Sequence, residues 1–222
     1  YFSIIGVKTK RFNENITSRI LEINKKINLD LKDVKFLLNP YNFTVNITTK
    51  DPTILFENNK LKVKNIKTTI FLKSLLSNEF SVDYLQISTK SIKLKNVISL
   101  AKSFKNSAEL LILDKIIEDG FLTADINLKF NDEGKIKEDY KINGFIKNTN
   151  FNFLDQHNIN NLNFEFSVNK KKYLFTDIKA DFNDIKLSSP LVEANKKEEL
   201  FLIKGKILTK GGSASWDLIS WA

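Results

Sequence analysis

Cysteine and methionine are both absent from this chain of 222 residues. Without cysteine there are no disulfides, thiolate metal sites or cysteine nucleophiles, and the redox compartment stays open. Without methionine the expectation is a processed or truncated piece, with something missing before Tyr1. Histidine occurs once, as His157 in the asparagine-rich "DQHNINN", so no histidine cluster is available to hold a metal. A Ser-His-Asp site would have to be built on His157, yet no G-x-S-x-G elbow accompanies it, and a surface-loop histidine is the expected role. There is no phosphate-cradling glycine loop and no run of calcium ligands. The acidic pairs Glu118-Asp119, Asp132-Glu133 and Glu198-Glu199 are adjacent residues, which point to opposite faces of a strand or lie solvated in turns, so they specify no paired carboxylates. The expectation is a non-enzyme with no catalytic residue, no metal and no cofactor.

Glycine and proline are sparse, at 7 and 3, so tight turns fall largely to asparagine and aspartate, which tolerate left-handed conformations. Arginine is nearly absent: Arg11 and Arg19 stand alone, and lysines supply the rest of a net charge of +9. Base and phosphate readout favours the arginine fork, whereas these lysines fill the polar half of alternating strands, where they also discourage edge-to-edge pairing. Nucleic acid is therefore not an expected partner, while attraction to an anionic membrane surface is compatible with the charge. No run of 18 apolar residues occurs, so nothing present spans a membrane as a helix. The sequons at Asn15, Asn42 and Asn46 are unsurprising in so asparagine-rich a chain.

What is present is an ordinary folding composition, 42% hydrophobic with 18 phenylalanines, sufficient for one large β domain or two small ones. Phe12, Ile16, Ile20, Ile23 and Ile27 recur at helical spacing, with Asn13 as N-cap, and predict an N-terminal amphipathic helix. From Ile27 the period drops to two. Alternating runs through Phe36, Val45, Val63, Ile87, Phe164, Phe175 and Ile203 predict antiparallel strands in a meander. Between them, Asn96 to Gly120 predicts one or two short helices, and Asn131 to Gly134 a hairpin turn. The expected organisation is 1–26 as leading segment and helix, 27–95 as first β half, 96–120 as helical break, 121–210 as second β half, and 211–222 as tail or linker.

The alternation slips repeatedly. In "LKVKNIKTT" the apolar residues are Leu61 and Val63 and then Ile66, one place late. A slip of this kind turns a strand inside out unless an extra residue resets the phase. Asn65 and its counterparts Asp33, Asn96, Asn161, Asp177 and Asp184 are therefore predicted to lie at β-bulges or turns. Repeated bulges add twist and curl a sheet. The strands present more apolar surface than the predicted helices cover, which leaves two solutions: a closed sandwich, or a curled sheet with an apolar groove. Composition leaves both open.

"YFSIIGVKTKRFN" with the following helix and "LDLKDVKFLLNPYNFTVNITTKDPTILFENNKLKVKNIKTTIFLKSLL" resembles the N-terminal periplasmic region of AsmA-like and TamB-like envelope proteins. "EDGFLTADINLKFNDEGKIKEDYKINGFIKN" is similar to the hairpin repeats of that family. The family is related to chorein-type bridge-like lipid carriers. The resemblance, over roughly Tyr1 to Lys210, implies a mainly β meander curled into a twisted, groove-like sheet. It implies a periplasmic location, an inner-membrane anchor before Tyr1, phospholipid acyl chains as ligand, and outer-membrane or periplasmic proteins as further partners. The expected groove wall is Leu29, Leu31, Phe36, Val45, Ile47, Leu61, Val63, Ile66, Ile70, Val82, Ile87 and Leu94. The absent anchor and the short chain depart from the family pattern. The alternative is a closed β-sandwich acting in outer-membrane assembly without conducting lipid.

Overall fold

The computed structural model describes residues 7–9, 13, 17, 25–56, 59–73, 82–104, 107–131, 137–153, 157–183, 185–197, 200–209 and 212–221. Chain contacts divide it into two compact units, residues 1–90 with 125–140, and residues 91–124 with 141–222.

The first unit contains β1 (Val7–Thr9), β2 (Ile27–Asp30), β3 (Val34–Asn39), β4 (Thr44–Lys50), β5 (Thr53–Phe56), β6 (Asn59–Phe71) and β7 (Val82–Thr89). It also holds residues 125–129 of a longer strand, β9 (Ile117–Lys129). Its main sheet is antiparallel and open, in the order β1-β3-β4-β6-β7-β9. Register puts Phe36 opposite Ile47, Ile47 opposite Thr68, Thr68 opposite Leu85 and Leu85 opposite Leu128. Opposed residues share a face, so one side of this sheet is largely apolar, with Thr49 and Thr68 among its residues, and the other carries Lys35, Asn46, Lys67, Gln86 and Asn127 together with Leu37 and Tyr84. Val34, Val45, Ile47 and Ile70 form a buried cluster on the apolar side, flanked by Leu31, Phe36, Leu38 and Leu72. Of the helix predicted across Phe12 to Ile27, the described residues are Asn13, Thr17 and 25–27; Lys25 and Lys26 form a turn and Ile27, expected on the helix face, opens β2 opposite Phe56. Asn13 Nδ2 donates to the Leu31 carbonyl at 3.0 Å, and Thr17 Oγ1 to that of Leu29 at 3.1 Å.

The slip in "LKVKNIKTT" is a β-bulge. Val63 stands opposite Thr89 and Asn65 opposite Ser88, so β6 spends two steps where β7 spends one. Before the bulge, β6 pairs with β5 in a small second sheet that β2 completes. After it, β6 pairs with β4. The extra residue keeps Leu61 and Val63, then Ile70, all buried.

The second unit contains β8 (Ile92–Lys93), α1 (Leu94–Phe104), α2 (Ala108–Ile116), residues 117–124 of β9, β10 (Lys141–Phe153), β11 (His157–Val168), β12 (Lys172–Phe182), β13 (Ile185–Lys197), β14 (Leu200–Thr209) and β15 (Gly212–Trp221). The two helices match the predicted break, though it closes at Ile116. Ser107 caps α2, its Oγ accepting from the Leu110 amide, and Lys102 Nζ meets Asp114 Oδ2 at 2.6 Å to tie the helices together. Leu94 and Ile98, one turn apart on α1, bury against Ile117, with Leu122, Ile146 and Phe151 around them.

From β9 the strands follow one another in chain order to β15, an open antiparallel layer. Four neighbours each carry an irregularity. The registers of β10, β11 and β12 gain a residue near Asn148, Asn161 and Asp177, and these three residues have φ of 51°, 52° and 51°. In β13 the extra residue falls between Ser188 and Val192, around Pro190, which has no amide to donate. Ile146 and Phe151, five residues apart, nevertheless pack on the same helix, because the bulge at Asn148 resets the phase.

Four of the six predicted break residues thus lie where expected: Asp33 in the β2–β3 connection, Asn65, Asn161 and Asp177 at bulges. Asn96 does not; it sits in α1, because the apolar spacing Leu94–Ile98 serves a helix better than a strand. Leu94, expected to continue a strand, is helical for the same reason. Asp184 and the Asp132–Gly134 turn lie outside the described residues. Gly212–Trp221, read from sequence as a tail, pairs with β14 along its whole length; Ala214, Trp216 and Leu218 alternate with Ser213, Ser215 and Asp217, and the open edge of β14 supplies the template. His157, expected in a loop, is the first residue of β11, opposite Phe153.

Two stability measurements check this account. Ile70→Ala, emptying a site with 0% exposure, is expected to cost about 2–5 kcal/mol in urea unfolding. Asp177→Val, a β-branched residue forced into positive φ, is expected to cost about 1–3 kcal/mol, whereas Asp177→Gly leaves the midpoint nearly unchanged.

Candidate functional site

The apolar face of β10–β14 is where the chain departs from an ordinary core. Register aligns Ile146 with Phe164 and Gly144 with Phe166, Phe166 with Phe175 and Val168 with Tyr173, Phe175 with Val192, and Ala194 with Ile203. These residues share one side, and the opposite side carries Asn143, Glu165, Ser167, Lys172, Glu193 and Lys204 together with Phe145, Leu174, Leu191 and Leu202. Alternation of apolar with polar residues sets this side in β11, whereas β12 and β14 carry the apolar runs Tyr173–Phe175 and Leu200–Ile203 and so present apolar residues on both sides.

On the apolar side the rings meet edge to face. Phe164 lies 5.7 Å from Phe175 and Tyr173 lies 5.6 Å from Phe201, centroid to centroid. Gly144 sits under Phe166: a Cβ there would meet the Phe166 ring, the Thr123 carbonyl and Ala124, so only glycine lets the ring lie flat over β10. Among the described residues of β10–β14, Thr149 and Ser189 are the only buried side chains; none of the apolar ones is buried. The buried hydrophobic cluster of this unit stays with α1 and its partners, and Phe164, Phe166, Tyr173, Phe175, Val192, Phe201 and Ile203 are each partly buried, as Leu31, Phe36, Ile66, Val82 and Ile87 are in the first unit.

The bulges are satisfied by asparagine. The Asn148 amide donates to Asn163 Oδ1 at 3.0 Å and the Asn161 amide to Asn150 Oδ1 at 3.0 Å. Asn161 Nδ2 in turn donates to Asp181 Oδ2 at 2.9 Å. An amide released by an extra residue must find an acceptor, and a neighbouring strand's asparagine provides it. Asn161, Asp181, Lys179 and Lys186 border a shallow open depression of about 560 Å³ on the polar side.

The twelve residues predicted as a groove wall fall in different environments. Leu29, Val45, Ile47, Leu61, Val63 and Ile70 are at most 8% exposed and form packed interior of the first unit, while Leu31, Phe36, Ile66, Val82 and Ile87 are half-buried there. Leu94 belongs to α1 of the second unit. The partly buried aromatic face of β11–β14 was absent from that set, although its alternation was visible in the sequence; what the sequence did not carry was which apolar face stays partly uncovered. Among the described residues no group of acidic or histidine side chains is placed to hold a metal ion, and no helix is long and apolar enough to cross a membrane. No family model, characterised protein or solved structure matches the chain. The structure itself defines the class: an open, mainly antiparallel β-sheet protein with a small mid-chain helical region.

On the polar side of the same strands, Glu193 accepts from Asn195 Nδ2 at 2.6 Å and meets Lys172 Nζ at 3.0 Å. The amide hydrogen bond first and the ammonium second hold its carboxyl below the usual range. A carboxyl lowered in the folded state stabilises above its unfolded pKa, and that contribution is lost as pH falls through the folded value. Glu193→Gln is therefore expected to weaken the unfolding midpoint at neutral pH and to match the parent once pH is below the lowered pKa, as followed by circular dichroism across a pH series.

Proposed function

We propose that this chain is a non-enzymatic lipid-handling protein of the Gram-negative envelope, in which the aromatic face of β11–β14 receives phospholipid acyl chains. One observation carries the reading: β10–β14 bury no apolar side chain among their described residues, yet present a continuous apolar face. The partly exposed side chains of that face gain by being covered, and each methylene laid on them is worth about 0.8 kcal/mol. Hydrocarbon asks nothing of the wall but apolar surface, which fits the absence of polar groups among Phe164, Phe166, Phe175, Val192 and Ile203. The resemblance to AsmA-like and TamB-like proteins agrees with this role. It adds the periplasm as location, an inner-membrane anchor ahead of Tyr1, and outer-membrane or periplasmic proteins as partners. The groove wall read from sequence shifts accordingly: Leu31, Phe36, Ile66, Val82 and Ile87 are the members of that set with surface left to offer in the first unit. A closed sandwich in the second unit is disfavoured by its strands lying in one layer, each paired with the next.

The purified chain is expected to release phospholipid on organic extraction, detected by mass spectrometry. Phe175→Asp should remove most of it while the circular dichroism stays β-like. A photoreactive residue in place of Phe175 or Phe201 should capture lipid, and one in place of Lys179 should not. Extracts free of lipid from a protein expressed in a lipid-rich envelope, or equal capture at Phe175 and Lys179, would sink the reading.

A further inference from the structure

Among the described residues the two most exposed large apolar side chains, Tyr41 and Phe43, lie together at one end of the first unit's sheet. Tyr41 is 93% exposed and Phe43 69%, both in the turn that joins β3 to β4, and Phe71, opposite Thr44 at the end of β6, is 40% exposed. Phe71 lies on the same side of β6 as Lys67 and Thr69.

This turn is held, not merely left outside. The Tyr41 amide donates to Asn39 Oδ1 at 3.1 Å, an Asx turn that opens the reversal, and Pro40 restricts the backbone between them. At the other side, the Leu72 amide donates to the Phe43 carbonyl at 2.7 Å. Phe43 has φ of 50°, a left-handed conformation that a bulky aromatic adopts only against strain. The strand closes over its interior immediately afterwards, at Thr44 and Val45. Backbone strain and two aromatic rings in water are thus combined at one rigid protrusion, and neither contributes to packing of the unit.

We propose that the Pro40–Phe43 turn, with Phe71 and Lys73 beside it, inserts into the interface of an anionic bilayer. A turn that leaves two neighbouring rings largely exposed to water suits a soft interface better than the pocketed surface of a folded partner. The chemistry is a tyrosine and a phenylalanine separated by an exposed asparagine, the mixture of ring and polar group that sits at headgroup depth. Across Asn39–Thr44 and Phe71–Lys73 the only charge is the exposed ammonium of Lys73, and the whole chain carries +9, complementary to anionic headgroups. The inference does not rest on acyl-chain binding by β11–β14.

The test is co-sedimentation of the full chain with phosphatidylcholine vesicles, with and without phosphatidylglycerol. The parent is expected to bind the anionic vesicles. Tyr41→Ser combined with Phe43→Asn, an asparagine that tolerates the positive φ, should lower partitioning on the order of tenfold or more, with unchanged circular dichroism and unchanged lipid in organic extracts. Lys73→Glu should weaken binding to the anionic vesicles. Tyr41→Trp should show fluorescence quenched by brominated acyl chains, which reads insertion even if the double variant fails to fold. The proposal is overturned if the parent ignores anionic vesicles, if the double variant binds them as the parent does, if Tyr41→Trp is not quenched, or if the double variant loses only self-association. Loss of extractable lipid in Phe175→Asp with vesicle binding intact would separate the two sites.

Discussion

The structure depends on keeping the core-forming apolar side chains of a strand on one side of a sheet while the strand runs longer than strict alternation allows. An extra residue achieves this at Asn65, Asn148, Asn161 and Asp177, where the chain steps once without a partner and resumes in phase. The step releases a backbone amide, and a released amide without an acceptor destabilises a sheet by more than a bulge can return. The asparagines at positions 150 and 163 resolve this in β10 and β11 by lending their Oδ1 atoms to the next strand. An asparagine-rich, glycine-poor composition is therefore a requirement of the architecture: the residues that tolerate positive φ also supply the acceptors. Where four neighbouring strands bulge in succession, each adds local twist.

The two units make different use of the same alternating pattern. In the first, Val34, Val45, Ile47 and Ile70 are closed from solvent, and the apolar side works as a conventional core. In the second, α1 covers Ile146, Phe151 and their neighbours, and the aromatic side of β11–β14 is left partly buried. Conventional folding accounts for the first arrangement. The second leaves an apolar side only partly covered, and the proposed acyl-chain site rests on that difference.

Particular residues show how far the sequence could be read. Leu61, Val63 and Ile66 announced a strand with a phase reset, and the bulge at Asn65 is where the spacing placed it. Asp177 and Asn161 were legible for the same reason: a polar residue that tolerates positive φ stood between apolar residues one step out of phase. Asn148 was missed, because "FIKNTNF" keeps no clean alternation on either side. Asn96 misled, since Lys-Asn before a β-branched residue also occurs in the first turn of a helix, and only the packing of Leu94 and Ile98 on Ile117 selects that outcome. The strand from Gly212 to Trp221 alternates, but its change of composition concealed it.

The sequence by itself determined the strands, their apolar and polar sides and most of the phase resets, because these follow from local periodicity and from which residues tolerate positive φ. It did not determine which apolar side is buried and which is left facing outward. Leu61 and Phe175 look alike in an alternating string; one lies in a closed interior and the other on a partly covered face. That difference is set by what packs over each sheet, and covering a face requires contacts between residues far apart in the chain, which periodicity does not encode. The same holds for Tyr41 and Phe43, whose outward display is decided by the Asx turn at Asn39 and the hydrogen bond to Leu72.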